Sequence, residues 1–574
     1  MKNKTYQNMK KISKSLFLFA IPLILSILSV SVFTSCKKML DADPQNVVAA
    51  DKNFQNANDA RSMVLGINSL HRQLLADQYV LLGELQADLM DVTANANDYM
   101  RQISTHSVDS LNPYVKPENF YRVILSCNDG IKNMNLMKAS GKLDAATYNF
   151  YYAEVVAFRC WVYYLLAVHF GNVPYITKPI ESLDALEKGD FPIVPLNAMI
   201  DSLVIVMRTV VPTTMAAEEN GSWPTIDNTY TSNKTFVHKI MFMGDLLLWQ
   251  GKYTEAATYY KKILDYEANG ADNEAFTKYK CSNGYWRFVG GTGYWPDMFK
   301  AKATNKQYGK EWIWICYTEK QYGETNSLVD FFSSAYGKYL LKPSQLSIDN
   351  WRSQVLQNGS LGDRRGENAS WSTENGNPVV KKYLNYVVSP FNNDADWYIY
   401  RAGTLAIRFA EAANRAGKYK LALAFLGGPD TLTLASNPIA KDTLGSVFDF
   451  SHHSQLNILF YGSTIGPRGR AYLSAVTLPT INPTLQDTIK AVEEIILNEY
   501  ALELAYEGER WIDYLRIATR REKEAPGTGA SLLANGIARK FEVANDPAAA
   551  QVKAKLMDPS NWFLPLYRKG KKVN

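Results

Sequence analysis

Residues 492–516 read VEEIILNEYALELAYEGERWIDYLR, and this stretch decides the fold class. Apolar residues recur in it at helical spacing, so it reads as an amphipathic helix. Glu499, Glu503 and Glu507 stand at i, i+4 and i+8. Arg510 and Arg516 follow one to two turns later, so opposite charges are placed to pair within and beyond the helix. Pairs of this kind, half-buried, fix helix register more than they add stability. The residues therefore read as scaffold rather than site.

Working outward, three further regions carry the same periodicity. Tyr148 to His169 (YNFYYAEVVAFRCWVYYLLAVH) is apolar and aromatic at helical spacing, and Gly171-Asn172-Val173-Pro174 stops it. A second run covers about Thr235 to Trp249 and is completed by Tyr253 to Leu264. A third runs from Gly403 to Asn414 and continues past GKYKLALAF. Gly251-Lys252-Tyr253-x-x-Ala256 recurs as Gly417-Lys418-Tyr419-x-x-Ala422, 166 residues later. In each copy a helix precedes the Gly-Lys turn and another follows, with a small Ala where two helices would approach closely. That is the hairpin logic of tetratricopeptide repeats, here dispersed among insertions rather than arrayed in tandem. The expected fold is mainly α: a tetratricopeptide-like helical hairpin scaffold with long irregular loop insertions. The insertions are 212–234, 266–310, 343–396 and 427–491, and loops of such length usually carry function.

The chain has 574 residues, 47% apolar and 21% charged, which suffices for a large core and excludes disorder as the dominant state. Its 62 Lys and Arg exceed its 56 Asp and Glu by 6. Five of those cations, Lys2, Lys4, Lys10, Lys11 and Lys14, precede residue 36, where no acid stands. Without residues 1–35 the balance is 57 to 56, which offers no support for a nucleic-acid partner. The basic start leads into an apolar run from Leu16 to Phe33 and then Thr34-Ser35-Cys36, the order of a secretory signal. At 18 residues the run also meets the lower limit for a membrane anchor helix. Cys36 after a small residue resembles the lipobox of bacterial lipoproteins, with Phe33 where Leu is usual. Residues 1–35 are accordingly expected to be a lipoprotein signal peptide and Cys36 its lipidation site, whether translation starts at Met1 or Met9.

Cys127, Cys160, Cys281 and Cys316 remain, none at metal-ligand spacing, and buried free thiols are expected rather than a disulfide framework. No H-E-x-x-H, G-x-S-x-G or C-x-x-C occurs. His452-His453 is a poor metal pair because adjacent side chains diverge. Gly290-Gly291-Thr292-Gly293 lacks the Lys-Ser/Thr of a phosphate loop. No catalytic residue, metal or cofactor is expected.

The resemblance that fits these features is to the SusD/RagB family of nutrient-binding outer-membrane lipoproteins of Bacteroidetes. Cys36 with Leu40-Asp41 and Pro44 is similar to the family's opening, and Leu81 to Asp91 (LLGELQADLMD) to its L-x-E-L-x-x-D helix start, which the resemblance assigns to the glycan-facing side. Phe120-Tyr121, Ile124 and Cys127-Asn128 look like its next helix. Glu154-x-x-x-x-Arg159 with Phe170-Gly171-Asn172-Val173-Pro174, and Ala410-Glu411-Ala412 with Asn414, match further blocks. The most specific match is Glu499, Glu503-Leu504, Glu507-Gly508, Arg510-Trp511, Asp513 and Arg516, with Tyr500 and Tyr514 in place of the usual Arg and Leu. Trp562 to Leu566 resembles the closing block. The resemblance implies one SusD-like unit over 36–574, with an N-terminal part of about 36–230 and a C-terminal part of about 231–574. It implies a surface-exposed lipoprotein, anchored in the outer membrane, that binds an oligosaccharide and hands it to a SusC-like TonB-dependent transporter. RagB-type members point to peptides as the alternative ligand, and a surface glycoside hydrolase is a third, weaker reading.

Sugars present CH faces that stack on aromatic rings and hydroxyls that need fixed polar partners. The densest such mixture runs from Asn283 to Asp297 and contains Tyr285, Trp286, Tyr294 and Trp295. These rings either face a ligand or form a small core beneath the loop. Position in the resembled family points also to Asp91–Tyr99, hence to Asn95, Asn97, Asp98 and Tyr99, which read equally as an Asx-rich capping turn. Trp371 and Trp397 are weaker candidates.

Overall fold

The 492–516 stretch folds as two helices, Leu485–Glu503 and Arg510–Glu524, where its periodicity predicts one. The computed structural model describes residues 54–182, 184–185, 189, 191–219, 223, 232–266, 281, 294–300, 311–320, 323–384, 389–427, 442, 445–450, 466–478, 483–568 and 571–572. The break at 504–509 has a tertiary cause. Tyr506 and Gly508 take positive φ of 68° and 94°, and a Cβ on Gly508 would come within 2.7 Å of the Tyr79 ring. The Gly508 N–H donates to Glu84 Oε1 at 2.8 Å. Only glycine meets both demands, the left-handed backbone and the close approach.

The break redirects the charges. Glu499, Glu503 and Glu507 do not pair with Arg510 or Arg516, as their spacing suggests, but with cations from distant segments. Arg365 reaches Glu499 at 2.6 Å and Glu503 at 2.9 Å; Arg401 reaches Glu503 at 3.0 Å and Glu507 at 2.7 Å. Lys382 closes on Glu507 at 2.6 Å. Arg408 binds Glu509 and Asp513, while Arg516 bridges Asp513 and Glu411. All of these groups are buried. Burial alone would raise the Glu503 carboxyl, but the guanidiniums of Arg470, Arg401 and Arg365 outweigh it and hold it at about 2. A network so desolvated adds little net stability when complete, yet losing one member strands its partner at a cost of about 3–5 kcal/mol. It therefore locks the relative placement of the elements that supply it.

Around this network the helices pack as a mainly helical, tetratricopeptide-like succession, from Pro117–Ala139 and Ala145–Phe170 through Leu196–Met207 to Lys239–Trp249 and Tyr253–Leu264. Ala402–Arg415 packs on Tyr253–Leu264, and Leu485–Glu503 packs on Ala402–Arg415. The two Gly-Lys echoes are thus brought side by side. Gly251 and Gly417 sit at φ 74° and 82° just past the helix ends, which only glycine adopts freely, and Ala256 and Ala422 are fully buried at the crossings.

Helix Ala145–Phe170 starts on Asp144, whose side chain accepts from the Ala146 and Thr147 N–H groups at 2.9 Å. It is apolar on nearly all sides and long enough to cross a bilayer, but it is enclosed by the other helices, as a core helix is. Cys127 and Cys160 lie on this helix and its neighbour. They, Cys281 and Cys316 are free and buried, and burial pushes the first three thiols up to about 12. Residues Ala60–Asn574 group as one compact unit.

Strands are short, and in the described residues they form two-stranded antiparallel pairs. Trp312–Cys316 pairs with Trp397–Arg401 inside the core, where the Trp312 and Tyr398 rings stack at 5.3 Å. Met90–Val92 pairs with Leu341–Pro343 in the register Asp91↔Lys342. This second pair leads out to the surface and positions the candidate site.

Candidate functional site

Leu81 to Asp91 does not present its polar side chains outward, as the resemblance implies. Glu84 and Asp88 are 0% and 4% exposed, held by the Gly508 N–H and by Arg510. Beyond Val92 the chain turns out into solvent. There Thr93 N–H donates to the Leu340 carbonyl at 3.0 Å, and the Thr93 hydroxyl to the Tyr339 carbonyl. Asn95 Nδ2 donates to the Lys338 carbonyl at 3.0 Å. Asn97 caps helix Asp98–Ser104 by accepting from Met100 N–H at 3.1 Å, and its Nδ2 donates to the Tyr114 hydroxyl at 3.0 Å. The capping turn is real, and it also sets the geometry of an open face.

What the turn leaves over defines the chemistry. Asp98 is exposed, and its carboxylate makes no side-chain hydrogen bond within the described residues; the same holds for the half-buried Tyr99 hydroxyl. Asn95 Oδ1 accepts no hydrogen bond from the described residues. Because Tyr114 accepts from Asn97, its phenolic hydrogen remains available to donate. Tyr336 is 38% exposed on the 333–340 segment that receives the Asn95 bond, and Tyr339, at φ 50°, donates its hydroxyl to the Pro378 carbonyl at 2.7 Å. The hairpin Trp371–Glu374 with Asn377–Val380 is tied to the same segment through Glu374, which accepts from Ser333 and Ser334. Acceptors, hydroxyl donors and an open ring thus converge on backbone that is cross-braced.

Of the other candidates, Tyr285 and Trp286 lie outside the described residues, as does the Tyr294 side chain. Trp295 is 0% exposed, on helix Tyr294–Lys300. Its Nε1 donates to Ser370 Oγ at 3.1 Å, and the cations of Lys382, Arg401 and Arg470 lie 5.0–5.4 Å from its ring centre. This corrects the expectation of a stacking platform: the ring is a buried anchor packed against the cations of the ionic network. Trp371 and Trp397 are likewise buried, each 2% exposed. Among the described residues no group of three or more His, Cys, Asp and Glu is placed to hold a metal ion. Tyr114, Tyr336 and Lys338 were not singled out by sequence; the Tyr-rich stretch AYGKY at 335–339 carried a signal that only strand pairing could connect to Asn95.

Comparison with known proteins agrees with this architecture. Residues 459–568 match the model of the SusD family. A SusD-like protein of Formosa agariphila is 24% identical over 175 residues, covering 27% of this chain and 32% of that relative's length. A SusD superfamily protein of Bacteroides vulgatus superposes with a TM-score of 0.62 at 13% identity, over 89% of this chain and 96% of that one. A laminarin-binding SusD-like protein does so with a TM-score of 0.54 at 14% identity, over 89% and 96%. At these identities the superpositions speak for the fold. The chain thus shares the fold of SusD superfamily structures, and its residues 459–568 are similar to the SusD family.

Proposed function

We propose that this protein is a surface lipoprotein, anchored in the outer membrane through Cys36, that captures oligosaccharides and delivers them to a SusC-like TonB-dependent transporter. The observation that carries the reading is the open face at 93–99, where Asn95, Asp98, Tyr99, Tyr114 and Tyr336 offer free acceptors, hydroxyls and an exposed ring on a braced loop. Sugar hydroxyls demand such partners and sugar CH faces stack on such rings. Laminarin binding by one structural neighbour is consistent with a glycan ligand. Binding, without bond-breaking, is the whole activity in this reading.

Peptide capture, as in RagB-type relatives, is the second reading; the exposed Asp98 carboxylate favours it, as a ready partner for a peptide amine. A side-by-side screen of the full chain against arrays of neutral oligosaccharides and of peptides separates the two. Glycan binding, no peptide binding and no release of reducing ends are expected. Co-purification of a TonB-dependent barrel with the tagged chain from its native membrane tests the transporter partnership.

A further inference from the structure

A cavity of about 770 Å³ shares no residue with the open Asn95 face. It opens where helix Leu196–Met207, the end of helix Lys239–Trp249, helix Arg510–Glu524 and the closing segment 559–563 meet. Its size falls within the roughly 300–1,000 Å³ of small-molecule sites.

Three half-buried rings line it: Trp249, Tyr253 and Phe563. Each is held in place. Trp249 Nε1 donates to the Tyr164 hydroxyl at 3.1 Å. The guanidiniums of Arg415 and Arg520 lie 5.4 and 5.8 Å from the centre of the Tyr253 ring. Phe563 rests on Gly171, where a Cβ would come within 2.7 Å of the ring. Rings fixed in this way lose little freedom when a ligand settles on them. The side chains of Asn172, Asn197 and Thr519 also line it and make no hydrogen bond within the described residues, so their amides and hydroxyl are available.

The charged side chains of the lining balance in number, Arg516, Arg520 and Lys523 against Asp201, Glu522 and Glu524. Arg516 and Arg520 are spent on Glu411, and Asp201 accepts from Gln250 at 2.6 Å. Glu522 accepts from the Gly527 and Ala530 N–H groups. A pocket with apolar rings, free amides and a hydroxyl, and balanced charge, suits an uncharged ligand with flat CH faces and many hydroxyls. We propose that this cavity is a second carbohydrate subsite, binding a short neutral stretch of sugar, a proposal that rests on the glycan reading of the Asn95 face.

The test is calorimetric stoichiometry on the full chain in detergent, with the tightest-binding neutral oligosaccharide from the array as probe. Two sites per chain are expected. Asn197→Trp fills the cavity from an exposed position without removing a protein contact and should leave one site, as should Trp249→Ala. The double variant Asp98→Ala/Tyr99→Ala should leave one site of the other kind. A single site in the native chain, untouched by Asn197→Trp and abolished by the double variant, overturns the second subsite and spares the Asn95 face. Failure of the native chain to bind any oligosaccharide on the array overturns both. Where Trp249→Ala does not fold, Asn197→Trp alone decides.

Discussion

Arg510 forks onto both carboxylate oxygens of Asp88, Nε to Oδ1 at 2.7 Å and Nη2 to Oδ2 at 2.8 Å, joining residues 422 apart in sequence. Asp88 stands two residues before strand Met90–Val92, which carries the chain out to Asn95. Helix Arg510–Glu524 is therefore tied to the segment that leads to the candidate face, with the Tyr514 hydroxyl also donating to Asp88 Oδ2 at 3.1 Å. Bidentate geometry belongs to arginine, and a lysine cannot reproduce it. Arg510→Lys is expected to cost about 2 kcal/mol or more, and Asp88→Ala about 3–5 kcal/mol because it leaves a buried cation unpaired. Thermal and urea unfolding of the two variants check the order, and equal stability to the native chain would refute it.

Gly508 combines φ 94° with a Cβ direction blocked by the Tyr79 ring. Gly508→Ala should destabilise by at least about 2 kcal/mol, since left-handed strain and a ring clash add. Gly417→Ala has the strain without the clash, because nothing lies within 4 Å of a Cβ there. The smaller loss of melting temperature should be at 417.

Glu84 supplies a pH signature. Burial pushes its carboxyl up from about 4.5 to about 8, against the pull of the Gly508 and Tyr506 N–H groups. The folded chain then holds this proton more tightly than the unfolded chain does. Its contribution is full below about pH 4.5 and is lost as pH rises through about 8. Glu84→Gln has no proton to lose and keeps an oxygen for the Gly508 N–H. Its melting temperature relative to the native chain should rise between pH 5 and pH 8; parallel curves would show that Glu84 ionises at its ordinary pH.

Trp295 and Asp98 should separate stability from binding. Trp295→Ala empties a fully buried site and removes a ring from three cations, for a loss of about 3–5 kcal/mol. Oligosaccharide affinity at the Asn95 face should stay within about twofold where the variant folds. Asp98→Ala should do the reverse, with unfolding within about 0.5 kcal/mol of native and affinity reduced about tenfold or more. Paired melting and titration experiments read both quantities.

Much of the scaffold was legible because it is written locally. The helix over 148–169, the stop at Gly171 and the two Gly-Lys hairpins follow from periodicity and turn chemistry, and the dispersed echoes at 251 and 417 do meet. What escaped was decided between distant segments. The 504–509 break depends on Tyr79 and Glu84, and the glutamates of 499–507 find Arg365, Lys382 and Arg401 rather than their helical neighbours. Whether Trp295 faced in or out depended on Lys382, Arg401 and Arg470 arriving over it. At the candidate face, Asn95 and Asn97 were legible as a turn. Tyr336 joins it only through the pairing of Asp91 with Lys342, and Tyr114 through the hydroxyl that accepts from Asn97.

The central claim, capture of oligosaccharide at the 93–99 face, is tested most directly by calorimetry of the full chain with its best array oligosaccharide, against Asn95→Ala, Asp98→Ala and Tyr99→Ala. Measurable binding by the native chain is expected, with about a tenfold or greater loss of affinity in the Asp98 and Tyr99 variants and an unchanged melting temperature in the Asp98 variant. Undiminished affinity in both variants, or binding of peptides with no oligosaccharide bound at all, would contradict it.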